Sequence, residues 1–277
     1  MLASSFIYDV AAGLMVWTKT FVMQNASHFE LRLAQSAQDI RGAGRLRYRV
    51  FVEELGGNGP DVDHDAGIER DAFDAHSDQL ILVDPTRDPE AGDHVVGVYR
   101  LMRPEHYQRL GRYYSDTEYD LSPLLASGRK LLELGRSCVD AEFRGGTVMF
   151  QLWQGLAGYV AEHEIEILFG VASFHGTDPH ALAQPLSHLH HAHLAPAALR
   201  PKARRFQKMD LLAKEAVDRP TAMKATPSLI KAYLRLGGVV GEGAYIDEAF
   251  NTVDVCLVLD TARMSAKHRD LYTKPRA

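Results

Sequence analysis

A strand-forming run from Leu131 to Val139 leads into a turn of Arg144, Gly145 and Gly146, after which Val148, Leu152, Leu156, Tyr159 and Val160 recur at helical spacing. This feature constrains the chain most, because extended apolar sequence passing through a glycine turn into helical periodicity specifies strand, turn and helix. Ile165 to Val171, apolar throughout, suits a strand in the middle of a sheet. Upstream, His28 to Leu33 alternates like a strand, and Ser36 to Arg49 reads as a helix offering Ile40, Leu46 and Val50 to a core. Leu80 to Val83 and Val95 to Leu101 form an antiparallel pair across a turn with Pro85, Pro89 and Gly92. Between them, Glu54 to Ser77 is rich in Gly, Asp and Pro and reads as an acidic loop without regular structure.

The segment from Ser173 to Arg205 gathers histidines, prolines and basic residues, as helix and loop covering a site would. A helix at Ser228 to Leu236, a glycine-rich turn at Gly237 to Gly243 and a last strand at Val253 to Leu259 complete one mixed α/β domain over residues 26–277. Residues 1–25 form an N-terminal extension. Asp9 and Lys19 interrupt its apolar stretches, so it matches neither a signal peptide nor a membrane span. A weakly docked or disordered extension and an amphipathic surface anchor both fit.

A net charge of -5 gives no global basic field, which argues against nucleic acid as a partner. Cys138 and Cys256 are too few for a disulfide framework and suit a reducing cytoplasm.

The glycine turn would present unpaired backbone N–H groups and the positive end of a helix dipole, a phosphate-binding arrangement. Strand, turn and helix together resemble the central motif of the GNAT superfamily, whose members hold the phosphates of a pantetheine cofactor there. That implies a largely antiparallel mixed sheet flanked by helices, with Arg144, Gly145 and Gly146 at the phosphopantetheine. The segments LRYRVFVEELG (Leu46 to Gly56), ERDAFD (Glu69 to Asp74), VVGVYRL (Val95 to Leu101) and ELGRSCV (Glu133 to Val139) occur in the order seen in acyl-homoserine lactone synthases. The family's positions fall on Arg47, Phe51, Asp71, Asp74, Arg100, Glu133 and Arg136. Its tryptophan after the first helix is replaced by Gly57, which removes support for adenosylmethionine as the acceptor. FGVASFHGTDP (Phe169 to Pro179), LSHLHHAHLAP (Leu186 to Pro196) and the run Ser228 to Leu259 resemble the bacterial ornithine N-alpha-acyltransferases from about Phe29 to Leu259. This resemblance implies transfer of a 3-hydroxyacyl group from acyl carrier protein to the alpha-amine of L-ornithine, giving lyso-ornithine lipid. The donor carries its own 4′-phosphopantetheine, so no bound cofactor and no metal are expected, and peripheral membrane contact is.

Ornithine carries two ammonium groups and a carboxylate. Asp71 and Asp74 suit an ammonium and Arg47 or Arg100 the carboxylate, unless the arginines pair with those aspartates and hold the loop together. Aminolysis needs a neutral amine, and Glu133 is the candidate base, with Arg136 beside it. A structural Glu133–Arg136 ion pair is the competing role, although residues three apart on a strand should face opposite sides. A backbone N–H around Cys138 to Asp140 is expected to serve the oxyanion. The Cys138 thiol is either a nucleophile or packing. His188, His190, His191 and His193 have paired helical spacing that invites a metal site, but no carboxylate or cysteine nearby completes a ligand set, and a solvated or carrier-facing helix is expected instead. His175 is either a polar group beside an acyl channel or a turn residue. Lys202, Arg204, Arg205 and Lys208, with Arg200, form a basic cluster suited to docking the acidic carrier, or a solvated face. The alternative functions are those of an acyl-homoserine lactone synthase-like enzyme and a non-catalytic, haemolysin-like membrane-binding protein.

Overall fold

The computed structural model describes residues 28–144 and 147–264. Strand β1 (Glu30–Leu33) precedes helix α1 (Ala37–Arg47), which starts where Ser36 and Asp39 exchange side-chain and backbone hydrogen bonds in a capping box. The helix continues as a π-helical turn, Tyr48–Glu54, beyond the expected end at Arg49. The acidic loop is more regular than its composition suggests. It holds a small hairpin of β2 (Val62–Asp63) and β3 (Ile68–Glu69), stabilised by the ion pairs described below.

Next come β4 (Asp78–Val83), β5 (Val95–Met102), α2 (Pro104–Leu110), β6 (Tyr119–Asp120) and α3 (Ser122–Ala126). The central unit is β7 (Leu131–Val139), α4 (Thr147–Glu162) and β8 (Ile167–His175), strand then helix as its periodicities demand. The chain ends in α5 (Ala183–His193), β9 (Lys202–Ala203), α6 (Arg219–Ala225), α7 (Ser228–Arg235), β10 (Val239–Val240), β11 (Tyr245–Asp247) and β12 (Thr252–Asp260).

The main sheet runs β1-β4-β5-β7-β8-β12-β10, with β11 added on β12. Every pairing in it is antiparallel except β7 with β8, which the α4 crossover makes parallel. Alternate residues feed opposite faces. Leu132, Leu134, Leu257 and Leu259 join the core under α4 and α7, whereas Leu131, Cys256 and Val258 pack with Phe73, Tyr113 and Tyr119 on the other side. α1 closes that second face over Ile81, Val95 and Cys138. Among the described residues no helix is long and apolar enough to cross a membrane.

The parallel pair positions the site. β7 and β8 are in register only where Leu131–Glu133 faces Ile167–Phe169, and beyond that they separate. Gly170 marks the fork, since a Cβ there would lie 2.1 Å from the carbonyl oxygen of Leu134.

Candidate functional site

A cleft of about 260 Å³ fills the opening between the separated strands. Leu134, Gly135, Arg136 and Ser137 of β7 line one side and Gly170 to Ser173 of β8 the other. Because it passes through the sheet, its two ends differ. Leu168, Leu257, Leu259, Leu229 and Tyr233 make one end apolar, whereas Tyr114, Arg136, Asp247, Thr252 and Asp254 make the other polar. A second apolar cavity of about 380 Å³ between α4 and α7 shares Leu168, Tyr233 and Leu259 with the first. Phe51 lines the cleft, as does Phe250.

Three arginines and three carboxylates form a buried network beside the polar end. Arg47 donates to Glu69 and, at 2.6 Å, to Asp74. Arg100 donates to Asp71 at 2.5 Å and to Asp74 at 3.2 Å. Arg136 donates to Glu69 and to Asp71, both at 3.1 Å. Thus the two aspartates of the acidic loop are engaged by arginines, the second of the two expected arrangements. Burial pushes the Asp74 carboxyl up, but the Arg47 and Arg100 guanidiniums overcome it and hold the group well below the usual carboxylate range.

Glu133 is buried, and its carboxylate accepts the N–H of Tyr114 at 2.8 Å and of Ser115 at 2.6 Å. It forms no ion pair with Arg136. The expectation that the two face opposite sides is corrected: the register shifts between β5 and β7, Arg136 adopts φ 50°, and both side chains reach Tyr114. A bulge adds one residue and so breaks strict alternation. Burial moves the Glu133 carboxyl up against those two hydrogen bonds. Tyr114 is held between guanidiniums, with Arg136 4.5 Å and Arg100 5.3 Å from its ring centre.

Other expected residues are more scattered. The Asp140 N–H donates to the Val96 carbonyl, so that amide is unavailable to an oxyanion. Burial pushes the Cys138 thiol up to about 12, which keeps it protonated and makes it packing. Arg144 donates to the Val139 carbonyl and to Glu54, while Gly145 and Gly146 lie outside the described residues, as do residues 1–25. His175 is exposed at the end of β8 and does not line the cleft. Lys202, Arg204, Arg205 and Lys208 are exposed on one segment beside Phe206.

One group of residues was not expected from the sequence. Glu118, Asp247 and Asp254 bring carboxylate oxygens within 4.8 Å of one another. Among the described residues this is the one His, Cys, Asp or Glu group that converges so closely, and the α5 histidines are not part of it. The available signal was Asp254, an acid inside the apolar strand Val253 to Leu259. Glu118 lies in an ordinary polar loop and carried none.

Residues 46–154 match the acetyltransferase (GNAT) domain family. The chain is 62% identical over 246 residues to the L-ornithine N(alpha)-acyltransferase of Rhodobacter capsulatus, covering 89% of this chain and 95% of that one. It belongs to the L-ornithine N(alpha)-acyltransferase family. The corresponding Brucella abortus protein is 40% identical over 255 residues, covering 91% of each chain. The crystal structure of the acyl-homoserine lactone synthase LasI is similar at 16% identity and a TM-score of 0.49, over 91% of this chain and 99% of that one. Members of this family are acyltransferases, and the mixed, mostly antiparallel sheet of this chain, flanked by helices, is GNAT-like.

Proposed function

We propose that the protein transfers a 3-hydroxyacyl group from the 4′-phosphopantetheine thioester of acyl carrier protein to the alpha-amine of L-ornithine, yielding lyso-ornithine lipid. The observation that carries this reading is the cleft through the forked sheet, apolar at one end and acidic at the other. An acylated amino acid has that same polarity. In this scheme the thioester lies at the fork, its acyl chain runs toward Leu168, Leu257 and Leu259 and on toward the α4–α7 cavity, and the amine approaches from the Tyr114 side. The amine attacks the thioester carbonyl, the C–S bond breaks, and the pantetheine thiol leaves. The proton lost by the amine passes through water to Glu133, whose burial raises its affinity for it, and from there to the departing pantetheine sulfur, which leaves as the thiol. Arg136 and Arg100 hold Tyr114 at the rim.

Arg144, Gly145 and Gly146, which precede Thr147 in sequence, are assigned to the phosphopantetheine phosphate. Lys202, Arg204, Arg205 and Lys208 are assigned to the acidic carrier surface. No resident cofactor enters the scheme. Such a donor and such a lipid product suit a reaction in the cytoplasm with peripheral contact at a membrane.

Incubating the purified protein with 3-hydroxyacyl carrier protein and ornithine tests this directly. Mass spectrometry should find one amide per free carrier thiol released, with fragment ions placing it on the alpha-nitrogen. Acylation of adenosylmethionine but not of ornithine would refute the reading. Glu133→Gln should lower kcat by about 10²-fold or more with the carrier KM unchanged. Thermal stability belongs beside it, because glutamine has one acceptor oxygen for the two N–H donors. Undiminished turnover removes Glu133 from the proton's path.

A further inference from the structure

The geometry points to Glu118, Asp247 and Asp254 as the pocket for the side-chain ammonium of the acceptor, the feature by which the enzyme selects a diamino acid over one with an apolar side chain. This deepens the proposed transfer and rests on it. It moves acceptor recognition away from Asp71 and Asp74.

Charge balance is the first ground. Arg47, Arg100 and Arg136 are matched one for one by Glu69, Asp71 and Asp74. Among the described residues, Glu118, Asp247 and Asp254 form no ion pair of their own, although their oxygens converge within 4.8 Å. Carboxylates removed from water without a counter-ion are costly, and a cation supplied by the substrate offsets that cost.

Unmet hydrogen bonding is the second. Glu118 and Asp254 are each 3% exposed, yet Glu118 Oε2 and Asp254 Oδ1 have no hydrogen-bond partner, although the Ser173 and Thr252 hydroxyls approach the Asp254 carboxylate. Asp247, Thr252 and Asp254 line the cleft itself. Asp247 is committed through Oδ1 only, which accepts the N–H groups of Ala249 and Phe250. An alkylammonium presents three donors to three carboxylates. The rings of Tyr114 and Phe250, which flank Arg136 at 4.5 and 5.3 Å, give the attached methylenes an apolar wall. Burial and the neighbouring acids push Glu118 upward, and burial pushes Asp254 upward against hydrogen bonds from Ser173 and Thr252.

The test uses the full chain, Glu118→Gln and Asp254→Asn, with ornithine and with norvaline, which is ornithine without the terminal amine. Each variant should lower the ratio of kcat/KM for ornithine over norvaline by about tenfold or more, chiefly through the ornithine KM. The melting temperature of the substrate-free variants should hold or rise, because each removes an uncompensated buried acid. Asp247→Asn, at the half-buried rim, supplies the same ratio if a buried variant fails to fold.

An unchanged ratio, or equal losses on both amino acids, would overturn the assignment, the second result placing the acids in proton transfer or structure. So would a saturable rise in wild-type melting temperature with Mg²⁺ or Ca²⁺ that the variants lack. Calorimetry with the two amino acids reads binding apart from turnover. Wild-type protein that binds both equally overturns the ammonium pocket, whereas absent acylation despite selective ornithine binding overturns the transfer.

Discussion

Asp74 accepts hydrogen bonds from Arg47, Arg100 and Gln79, and its removal tests whether the acidic loop is structural. Asp74→Asn leaves buried guanidinium charge uncompensated, so it should cost about 3 to 5 kcal/mol at neutral pH, measured by urea unfolding. The pH dependence has a definite sign. The folded-state carboxyl lies below its unfolded value, so its contribution is full above about pH 4 and is lost as pH falls through the folded value. Wild-type stability should therefore drop below about pH 4, and the variant's should drop less steeply. Unchanged stability with weakened ornithine binding would instead return Asp74 to acceptor recognition.

Elements β7 and β8 set the width of the cleft, and two local departures from ideal strand geometry produce it. The bulge at Arg136 turns a guanidinium to the side already occupied by Glu133. At the fork, Gly170 lets the backbones touch before they part. Gly170→Ala forces a Cβ against the Leu134 carbonyl and should destabilise by about 1 to 3 kcal/mol or more while impairing transfer, since the cleft walls must shift. Gly158→Ala, inside α4 where no atom outside the helix would meet the new methyl within 4 Å, should stabilise by about 0.5 to 1 kcal/mol and leave transfer intact. Thermal melts with turnover on both proteins separate a packing limit from general glycine sensitivity.

Over the whole molecule a net charge of -5 coexists with an exposed basic segment from Lys202 to Lys208. Arg204 donates through its main-chain N–H to the Glu118 carbonyl, which places this segment against the acidic end of the cleft. Reversing Arg204 and Arg205 to Glu should raise the carrier KM and flatten its salt dependence, with the ornithine KM changing little. An unchanged carrier KM at every salt concentration would locate docking elsewhere. The sequence by itself determined the elements whose signals are local: the helices at α1, α4 and α7, and the strands β4, β5, β7, β8 and β12, each marked by periodicity or an unbroken apolar run. It also displayed the arginines and aspartates of the network, though not which would pair. Tertiary structure alone decided the parallel pairing and its fork, the bulge that sets Arg136 beside Glu133, and the meeting of Glu118 with Asp254 across 136 positions of sequence, 254 − 118. The reason is physical: periodicity is written in neighbouring residues, whereas a counter-charge is chosen by distance in space, and a carboxylate remains unpaired only once the fold has assigned every nearby cation to another.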